Sequence, residues 1–157
     1  MAHVELSLSE PAGPPRHRAD GAGPDGAAPH PAGSLDRWSA AVAAADEPCL
    51  VLDVEGGIVA ASVACHTLLG LGAPGGVVGR YLLDGVLHLV DFTAARRLLP
   101  EADIDAIPPL LALTSGRQAR GLMRVHDGAY DVTVDGIAVP LRDGDAVVGS
   151  LTFFSAI

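Results

Sequence analysis

Residues 49–62 of the chain read CLVLDVEGGIVAAS, and this stretch decides the fold prediction. Cys49–Leu52 is a short apolar run of the kind that forms a buried strand, and Ile58–Ala61 is a second such run. Asp53–Gly57, between them, has the acidic and glycine residues of a tight turn. The pattern therefore predicts an antiparallel hairpin over residues 48–62.

An amphipathic helix is predicted immediately before this hairpin, over residues 34–46. Ser34 is a good helix N-cap, and Leu35, Trp38 and Val42 recur at spacings of three and four residues. A helix with such an apolar stripe must pack on something. These three side chains are therefore the predicted interaction surface, either for a separate protein partner or for a second copy of the chain in a homodimer.

The middle of the chain, residues 63–116, is predicted to be mainly helical. Ser62 caps a short helix over Val63–Leu69, which Gly70 ends. Ala94–Leu99 is expected to form one or two helical turns. Two prolines at positions 108 and 109 start a last helix, because proline is well suited to a first helical turn.

Three antiparallel strands are predicted over residues 117–157. If Asp127-Gly128 is the two-residue turn of a type I′ hairpin, the register of the flanking strands follows. Four cross-strand pairs are then expected: Arg124 with Asp131, Arg120 with Asp135, Val125 with Tyr130, and Met123 with Val132. A change in the apolar alternation along the second strand predicts a β-bulge at Asp135-Gly136.

Together these elements predict an α+β domain over residues 34–157, with a five-stranded antiparallel sheet and helices packed on one face. Residues 1–33 differ in composition, because they hold six of the 12 prolines and five of the 19 glycines. Such a segment buries too little apolar surface to offset its ordering entropy. It is therefore predicted to be a disordered tail.

The overall composition excludes several classes of protein. Ten basic residues, all arginine, stand against 19 acidic ones, and a net charge of −9 argues against nucleic-acid binding. The mean hydropathy is +0.35, but the uncharged run over residues 56–79 is interrupted by glycines and a proline and cannot span a membrane. Met1–Glu10 lacks the features of a signal peptide, so we expect a cytoplasmic protein whose two cysteines are reduced and buried.

The order of these motifs resembles that of a PAS domain. Residues 50–59 are similar to the first PAS hairpin, residues 62–70 to the capped helix that follows it, and Val77–Arg80 to the next segment. Residues 110–120 are similar to the helix that leads into the last three strands. The arginine-only, alanine-rich composition is of the type found in actinobacteria. The resemblance covers residues 34–157.

The resemblance implies a stand-alone, non-enzymatic signalling module, for example in the regulation of transcription, that acts through a separate protein partner or by self-association. The alternative is a small-molecule sensor with a pocket between the sheet and the helices. The residues expected to line that pocket are Leu83, Leu87, His88, Leu110, Leu111, Met123, Tyr130 and Val132.

Specific cofactors find little support in the sequence. Haem remains open only through His88, which is the one histidine placed to line the expected pocket. Flavin photochemistry in related modules needs a cysteine in a different segment from that of Cys65. Residues 70–75 match G-x-G-x-x-G, but no strand leads directly into them, so a nucleotide-binding enzyme is only a remote alternative. The acidic residues 101–105 lack the pattern of a metal site.

Overall fold

The computed structural model describes residues 32–157. The predicted tail therefore lies, up to residue 31, outside the described residues. The elements in chain order are α1 (Ser34–Ala43), β1 (Cys49–Asp53), β2 (Ile58–Ala61), α2 (Val63–Leu69), β3 (Leu89–Val90), α3 (Glu101–Ile104), α4 (Pro108–Ser115), β4 (Ala119–His126), β5 (Asp131–Asp143) and β6 (Ala146–Ala156). In this part of the chain, no helix is long and apolar enough to cross a membrane.

The strands form one antiparallel sheet in the order β2-β1-β6-β5-β4-β3. This confirms the predicted α+β architecture and the first hairpin, but the sheet has six strands instead of five. The additional strand is Leu89–Val90, which pairs with Val125 and Arg124 at the edge of the sheet. It was missed because a two-residue strand is too short to show an alternating pattern.

The inner face of the sheet carries the main hydrophobic core. Leu50 and Leu52 of β1, Val125 of β4 and Val134 of β5 are fully buried there, and Phe154 of β6 is 3% exposed. They pack against α2 and the segment that connects it to β3. Fully burying an aliphatic side chain contributes about 1.5–3 kcal/mol, so this layer supplies most of the stabilisation.

Helix α2 begins where the sequence predicts it. The Ser62 side chain accepts a hydrogen bond from the Cys65 N–H at 3.1 Å, and Gly70 ends the helix with a φ of 63°. The same Ser62 hydroxyl oxygen accepts from the Cys49 N–H at 3.1 Å and donates to the Glu47 carbonyl at 2.7 Å. One side chain therefore joins the helix to the start of β1.

The predicted helical turns at Ala94–Leu99 are wrong. Residues 91–97 form a loop, closed by a hydrogen bond from the Asp91 N–H to the Arg97 carbonyl at 2.8 Å. Leu98 then bridges back to Val90 of the edge strand. The edge strand offers backbone partners to this segment, and pairing with it competes successfully with local helix formation.

Helix α1 packs on the outer face of the sheet, so the helices do not all lie on one face. Val42 is buried there in a second core with Val51, Leu141 and Leu151, and Leu35 packs at its margin. The helix is shorter than predicted, and its N-cap is Gly33. Ser34 is its first residue, with an N–H that donates to Asp143 Oδ1 at 2.9 Å.

The predicted register between β4 and β5 is wrong by two residues. His126 lies opposite Asp131, Arg124 opposite Thr133 and Val125 opposite Val132. The connection is a four-residue loop over residues 127–130, in which Asp127 Oδ1 accepts from the N–H groups of Ala129 and Tyr130 at 2.9 and 2.8 Å. Because the slip is two residues, the paired side chains stay on the predicted faces.

The predicted bulge at Asp135-Gly136 is absent, since the pairing of β5 with β4 and β6 is continuous there. The only register shift described along β5 lies between Leu141 and Arg142. The apolar positions change parity for another reason. Val134 faces the inner core, whereas Val139 and Leu141 face the second core under α1. The sequence pattern therefore reflects two apolar layers on opposite faces of one strand.

Candidate functional site

The space between the sheet and the inner helices is filled by side chains. Met123 is 2% exposed within this core, Leu87 is 5% exposed, and Val132 packs against the same cluster. Three clefts instead open at the surface around the core. We call them the hairpin cleft, the edge cleft and the basic cleft.

The hairpin cleft has a volume of about 290 Å³ and lies between the β1–β2 turn, the segment around Leu82 and helix α4. Leu82, Leu110 and Leu113 line it, together with the exposed ring of Tyr81. Glu55 and Asp105 add two carboxylates. This cleft can receive an apolar group, and its charge favours a cationic one.

The edge cleft, of about 220 Å³, lies beside the edge strand β3. Leu87, Leu89, Leu99 and Ile104 give it an apolar lining, to which His88 adds an imidazole. Leu83 lines both this cleft and the hairpin cleft.

The residues predicted to line one pocket are therefore distributed over several places. Leu83, Leu87 and His88 border the edge cleft, and Leu110 borders the hairpin cleft. Met123 and Val132 belong to the inner core. Leu111 and Tyr130 are 38% and 72% exposed and line none of the three clefts, because the actual register places Tyr130 in the loop after β4.

The basic cleft lies on the outer face at the β3 edge and has a volume of about 350 Å³. His126 Nδ1 lies 2.9 Å from Asp131 Oδ1, and Arg96 Nη1 lies 3.1 Å from Asp131 Oδ2. The Asp131 side chain is only 12% exposed, while that of Arg96 is 66% exposed. One largely buried carboxylate therefore holds two nitrogen-bearing side chains at the surface.

The predicted pairing of Arg124 with Asp131 is not present. Arg124 instead donates to the Asp91 carbonyl at 3.2 Å and lies 4.8 Å from the centre of the Phe92 ring. The predicted partners Arg120 and Asp135 do meet, although they are diagonal neighbours, with Arg120 Nε donating to Asp135 Oδ2 at 3.0 Å. The guanidinium lowers the pKa of the Asp135 carboxyl.

Beyond helix α1, the outer face of the sheet is open. Leu122, Ile137, Phe153 and Ile157 lie on this part of the outer face, which we call the open half, and they are 36–76% exposed. Ile137 and Phe153 are directly paired across β5 and β6, and Leu122 lies on the neighbouring strand β4. Four exposed apolar side chains therefore share one surface.

The interaction surface predicted on α1 is only partly available. Leu35 and Val42 are directed into the second core of the chain's own sheet, and Val42 is 2% exposed. Of the three predicted residues, Trp38 alone is exposed, at 42%. The amphipathic helix is present as predicted, but the sheet of the same chain covers most of its apolar side.

This arrangement of six strands and flanking helices is similar to that of several solved structures. The PAS domain of a Colwellia psychrerythraea protein matches with a TM-score of 0.55 at 19% identity, over 78% of this chain and 96% of that one. The chain has a PAS-like fold. The PAS domain of Bordetella pertussis BvgS matches with a TM-score of 0.50 at 15% identity, over 78% and 84%. A Rhodobacter sphaeroides LOV protein matches with a TM-score of 0.55 at 18% identity, over 79% and 66%.

Sequence comparison adds nothing to this PAS-like fold, since no family model and no curated protein matches the chain.

The cysteines of the PAS-like domain do not fit a thiol-based flavin site. Cys49 and Cys65 are the two cysteines of the chain, and both are buried and free. Burial raises the pKa of the Cys65 thiol to about 12 and also raises the pKa of Cys49. Because the thiolate is the nucleophile, neither sulfur is activated.

His88 is not placed to bind a haem between the sheet and the helices, the one haem arrangement left open by the sequence. It lies next to Leu89, which faces the inner core, so alternation along the strand directs His88 to the outer face. A ligand to a haem inside the domain would have to come from the inner face. Among the described residues, no group of three or more His, Cys, Asp or Glu side chains is placed to hold a metal ion.

Sequence reasoning missed the most distinctive residues of the surface. Arg96 was assigned to a helix, and nothing local indicates that it meets Asp131. Ile137 and Phe153 lie in the region predicted as strands, and the sequence pattern does not indicate that they are exposed. Their exposure depends on where α1 ends, which only the three-dimensional packing decides.

Proposed function

We propose that the chain is a non-enzymatic signalling module that works by self-association through the open half of its outer face. The observation that carries the proposal is the cross-strand pair of Ile137 and Phe153, which are 36% and 44% exposed in the interior of the sheet. An apolar pair on central strands is normally covered. Exposed apolar patches with polar margins are characteristic of interaction surfaces.

A second copy of this chain suits the patch because the charges around the patch are balanced. Two chains that each carry a net charge of −9 repel one another over most of their surfaces. Around the open half, however, Arg120 and Asp135 neutralise each other. A twofold interface brings the same patch of both copies together, so a locally neutral, apolar patch is self-complementary.

The geometry also supports a role without catalysis. The described hydrogen bond of the His126 ring is to Asp131, and no serine, threonine or cysteine of residues 32–157 is hydrogen-bonded to that ring. A nucleophile that an imidazole activates needs such a contact. The buried thiols, with their raised pKa values, are equally unsuited to nucleophilic chemistry.

The PAS-like fold is consistent with this role, since the PAS resemblance implies modules that sense signals and associate with partners. We infer that the output of the module passes through the dimer, or through a protein that recognises the dimer. We propose no small-molecule site between sheet and helices, because packed side chains occupy that space.

Light scattering during size-exclusion chromatography tests the proposal directly. At concentrations of about 5–100 μM, we expect the full chain to elute as a dimer. Phe153→Glu places a charge within the patch and should weaken the dimer at least about 30-fold, because the apolar residues that anchor an interface contribute about 2 kcal/mol or more. Circular dichroism verifies that the variant is folded.

Val78→Glu is the matched control, because Val78 is 52% exposed but lies outside the patch. It should remain dimeric. A wild-type chain that is monomeric at 100 μM would overturn the proposal, as would a Phe153→Glu variant that dimerises like the wild type. A wild-type monomer that binds a different protein through Phe153 would also overturn it in favour of a heterologous partner.

A further inference from the structure

The basic cleft is assembled from three neighbouring strands. His126 of β4 lies opposite Asp131 of β5. The backbone N–H of His126 donates to the carbonyl of His88, just before β3, at 2.9 Å. Residues paired in this way share one face of the sheet. Val90 and Leu98 complete the wall, so two imidazoles, a carboxylate and two aliphatic side chains surround the cleft of about 350 Å³.

Arg96 is held over this cleft by an uncommon backbone conformation. Its φ is 48°, the one positive value among the non-glycine residues that the structure describes. The left-handed region costs an L-residue about 1–2 kcal/mol, so surrounding contacts must enforce it. The ion pair with Asp131 uses Nη1, and the exposed guanidinium retains its other N–H donors.

The loop that carries Arg96 is held in place by Arg124. The Arg124 guanidinium donates to the Asp91 carbonyl and stacks over Phe92, at the start of the loop. The Asp91 N–H closes the loop by donating to the Arg97 carbonyl. Arg96 is thus presented by a loop whose two ends are fixed.

Cationic and imidazole groups are concentrated around the cleft, in contrast to the acidic chain as a whole. Arg96, Arg97 and Arg124 are three of the eight arginines among the described residues, and His88 and His126 are two of the three histidines. The neighbouring carboxylates, Asp91, Asp127 and Asp131, are engaged by backbone, threonine, histidine or arginine groups. In a chain with a net charge of −9, this concentration of cationic and imidazole groups selects for an anion.

We propose that the basic cleft binds a small organic acid of the hydroxycarboxylate class. The carboxylate of the ligand would accept two hydrogen bonds from the free edge of the Arg96 guanidinium, which matches it in geometry. Val90 and Leu98 would contact its short carbon chain. This site lies outside the dimer patch and goes beyond the proposed function.

The hydroxyl of the ligand has a specific partner in this arrangement. An ionised carboxylate only accepts hydrogen bonds, so the contact with Asp131 places a hydrogen on His126 Nδ1. In the neutral ring, Nε2 then carries a lone pair. A hydroxyl adjacent to the ligand carboxylate can donate to that nitrogen, whereas a simple carboxylate has no group to do so.

A titration of ¹⁵N-labelled full-length protein, monitored by NMR at constant ionic strength, tests the site. Lactate should shift the amide signals of residues 88–98 and 126–131 in a saturable manner, and acetate should bind more weakly. Inorganic phosphate separates a hydroxycarboxylate site from a general anion site. Lactate shifts that are scattered over the chain, or phosphate binding that is tighter than lactate binding, would overturn the proposal.

Variants assign the binding to particular side chains. Arg96→Gln should weaken lactate binding about 10- to 100-fold, as expected for the loss of charge-assisted hydrogen bonds. Arg96→Gly should do the same while relieving the backbone strain, so a folding defect is not the cause. Arg117→Gln removes an exposed arginine elsewhere and should bind like the wild type. Equal affinities of the Arg96 and Arg117 variants would overturn the assignment.

His126→Ala tests the hydroxyl contact. It should reduce lactate affinity to the level of acetate and leave acetate binding nearly unchanged. If lactate and acetate lose affinity equally in this variant, the specific role of Nε2 is wrong. Because the readout is the local amide shift, a negative result here is independent of whether the chain dimerises.

Discussion

The two faces of the sheet are built from the same strands but are covered very differently. On the inner face, α2, α4 and their connections bury the apolar side chains almost completely. On the outer face only α1 is available. It has 10 residues and is about 15 Å long, whereas the 13 residues of β5 extend about 43 Å. A single short helix covers only part of such a surface.

Because of this difference, the residues that stabilise the fold and those available for binding lie on opposite faces of the sheet. The inner face is a closed layer in which each side chain is needed for packing. The open half of the outer face has apolar residues that stabilise the isolated chain little. Beside it lies the basic cleft, where the Arg96 guanidinium has N–H donors that its ion pair does not use. Residues that the fold does not require for its own packing are available for binding.

The sharpest test of the comparison is a pair of identical truncations on opposite faces. Leu52→Ala removes a fully buried inner side chain and should lower the free energy of unfolding by about 2–5 kcal/mol. Leu122→Ala truncates a side chain that is 54% exposed and should change it by no more than about 0.5 kcal/mol. Urea denaturation measures both.

Both substitutions should be made in the Phe153→Glu background, so that self-association does not contribute to the measured stability. Losses of similar size at the two positions would show that Leu122 is covered in solution and would break the distinction between the faces.

A smaller effect is expected where α1 meets the sheet. A Cβ atom at Gly149 would overlap the Leu52 carbonyl oxygen and lie 2.7 Å from Leu35 Cδ1. Gly149→Ala should therefore shift α1 or β6 and destabilise the chain by about 1–3 kcal/mol. Thermal denaturation is a sufficient measurement.

Gly121→Ala is the matched control on the inner face. A Cβ atom there would meet Pro108 Cγ at 3.5 Å, an ordinary contact distance, and should have little effect. If both variants behave alike, α1 is not closely seated on the sheet, and the covered half of the outer face would resemble the open half.

Much of this architecture could be predicted from local patterns in the sequence. The first hairpin follows from two apolar runs around an acidic-glycine turn, and the cap of α2 follows from Ser62. Both depend on interactions between residues close in the chain, where propensity and hydrogen bonding are decisive. The PAS-like order of elements could be predicted because these local features occur one after another along the chain.

The candidate site could not be predicted in the same way, because one of its turns allows two loop lengths and its ion pair joins residues distant in sequence. Asp127-Gly128 looks like a two-residue turn, yet the Asp127 carboxylate stabilises a four-residue loop and moves every pair by two positions. Arg96 meets Asp131 only because its segment joins the edge strand instead of forming a helix. Small local preferences were overridden by long-range pairing.

The smallest expected effect concerns the loop that sets this register and thereby places His126 opposite Asp131 on the outer face. The N–H groups of Tyr130 and Ala129 lower the pKa of the Asp127 carboxyl. The stabilisation by the ionised form is therefore present above the ordinary pKa of an aspartate, near 4, and is lost as the pH falls through the lower folded-state value. Asp127→Asn should flatten the fall in the free energy of unfolding between about pH 5 and pH 2.

Urea denaturation at a series of pH values measures this slope, and Asp46→Asn is a control of identical chemistry at an exposed position. The control should follow the wild-type curve. If Asp127→Asn follows it as well, the Asp127 carboxylate does not stabilise the loop in solution. The four-residue connection, and the register that pairs His126 with Asp131, would then rest on strand packing alone.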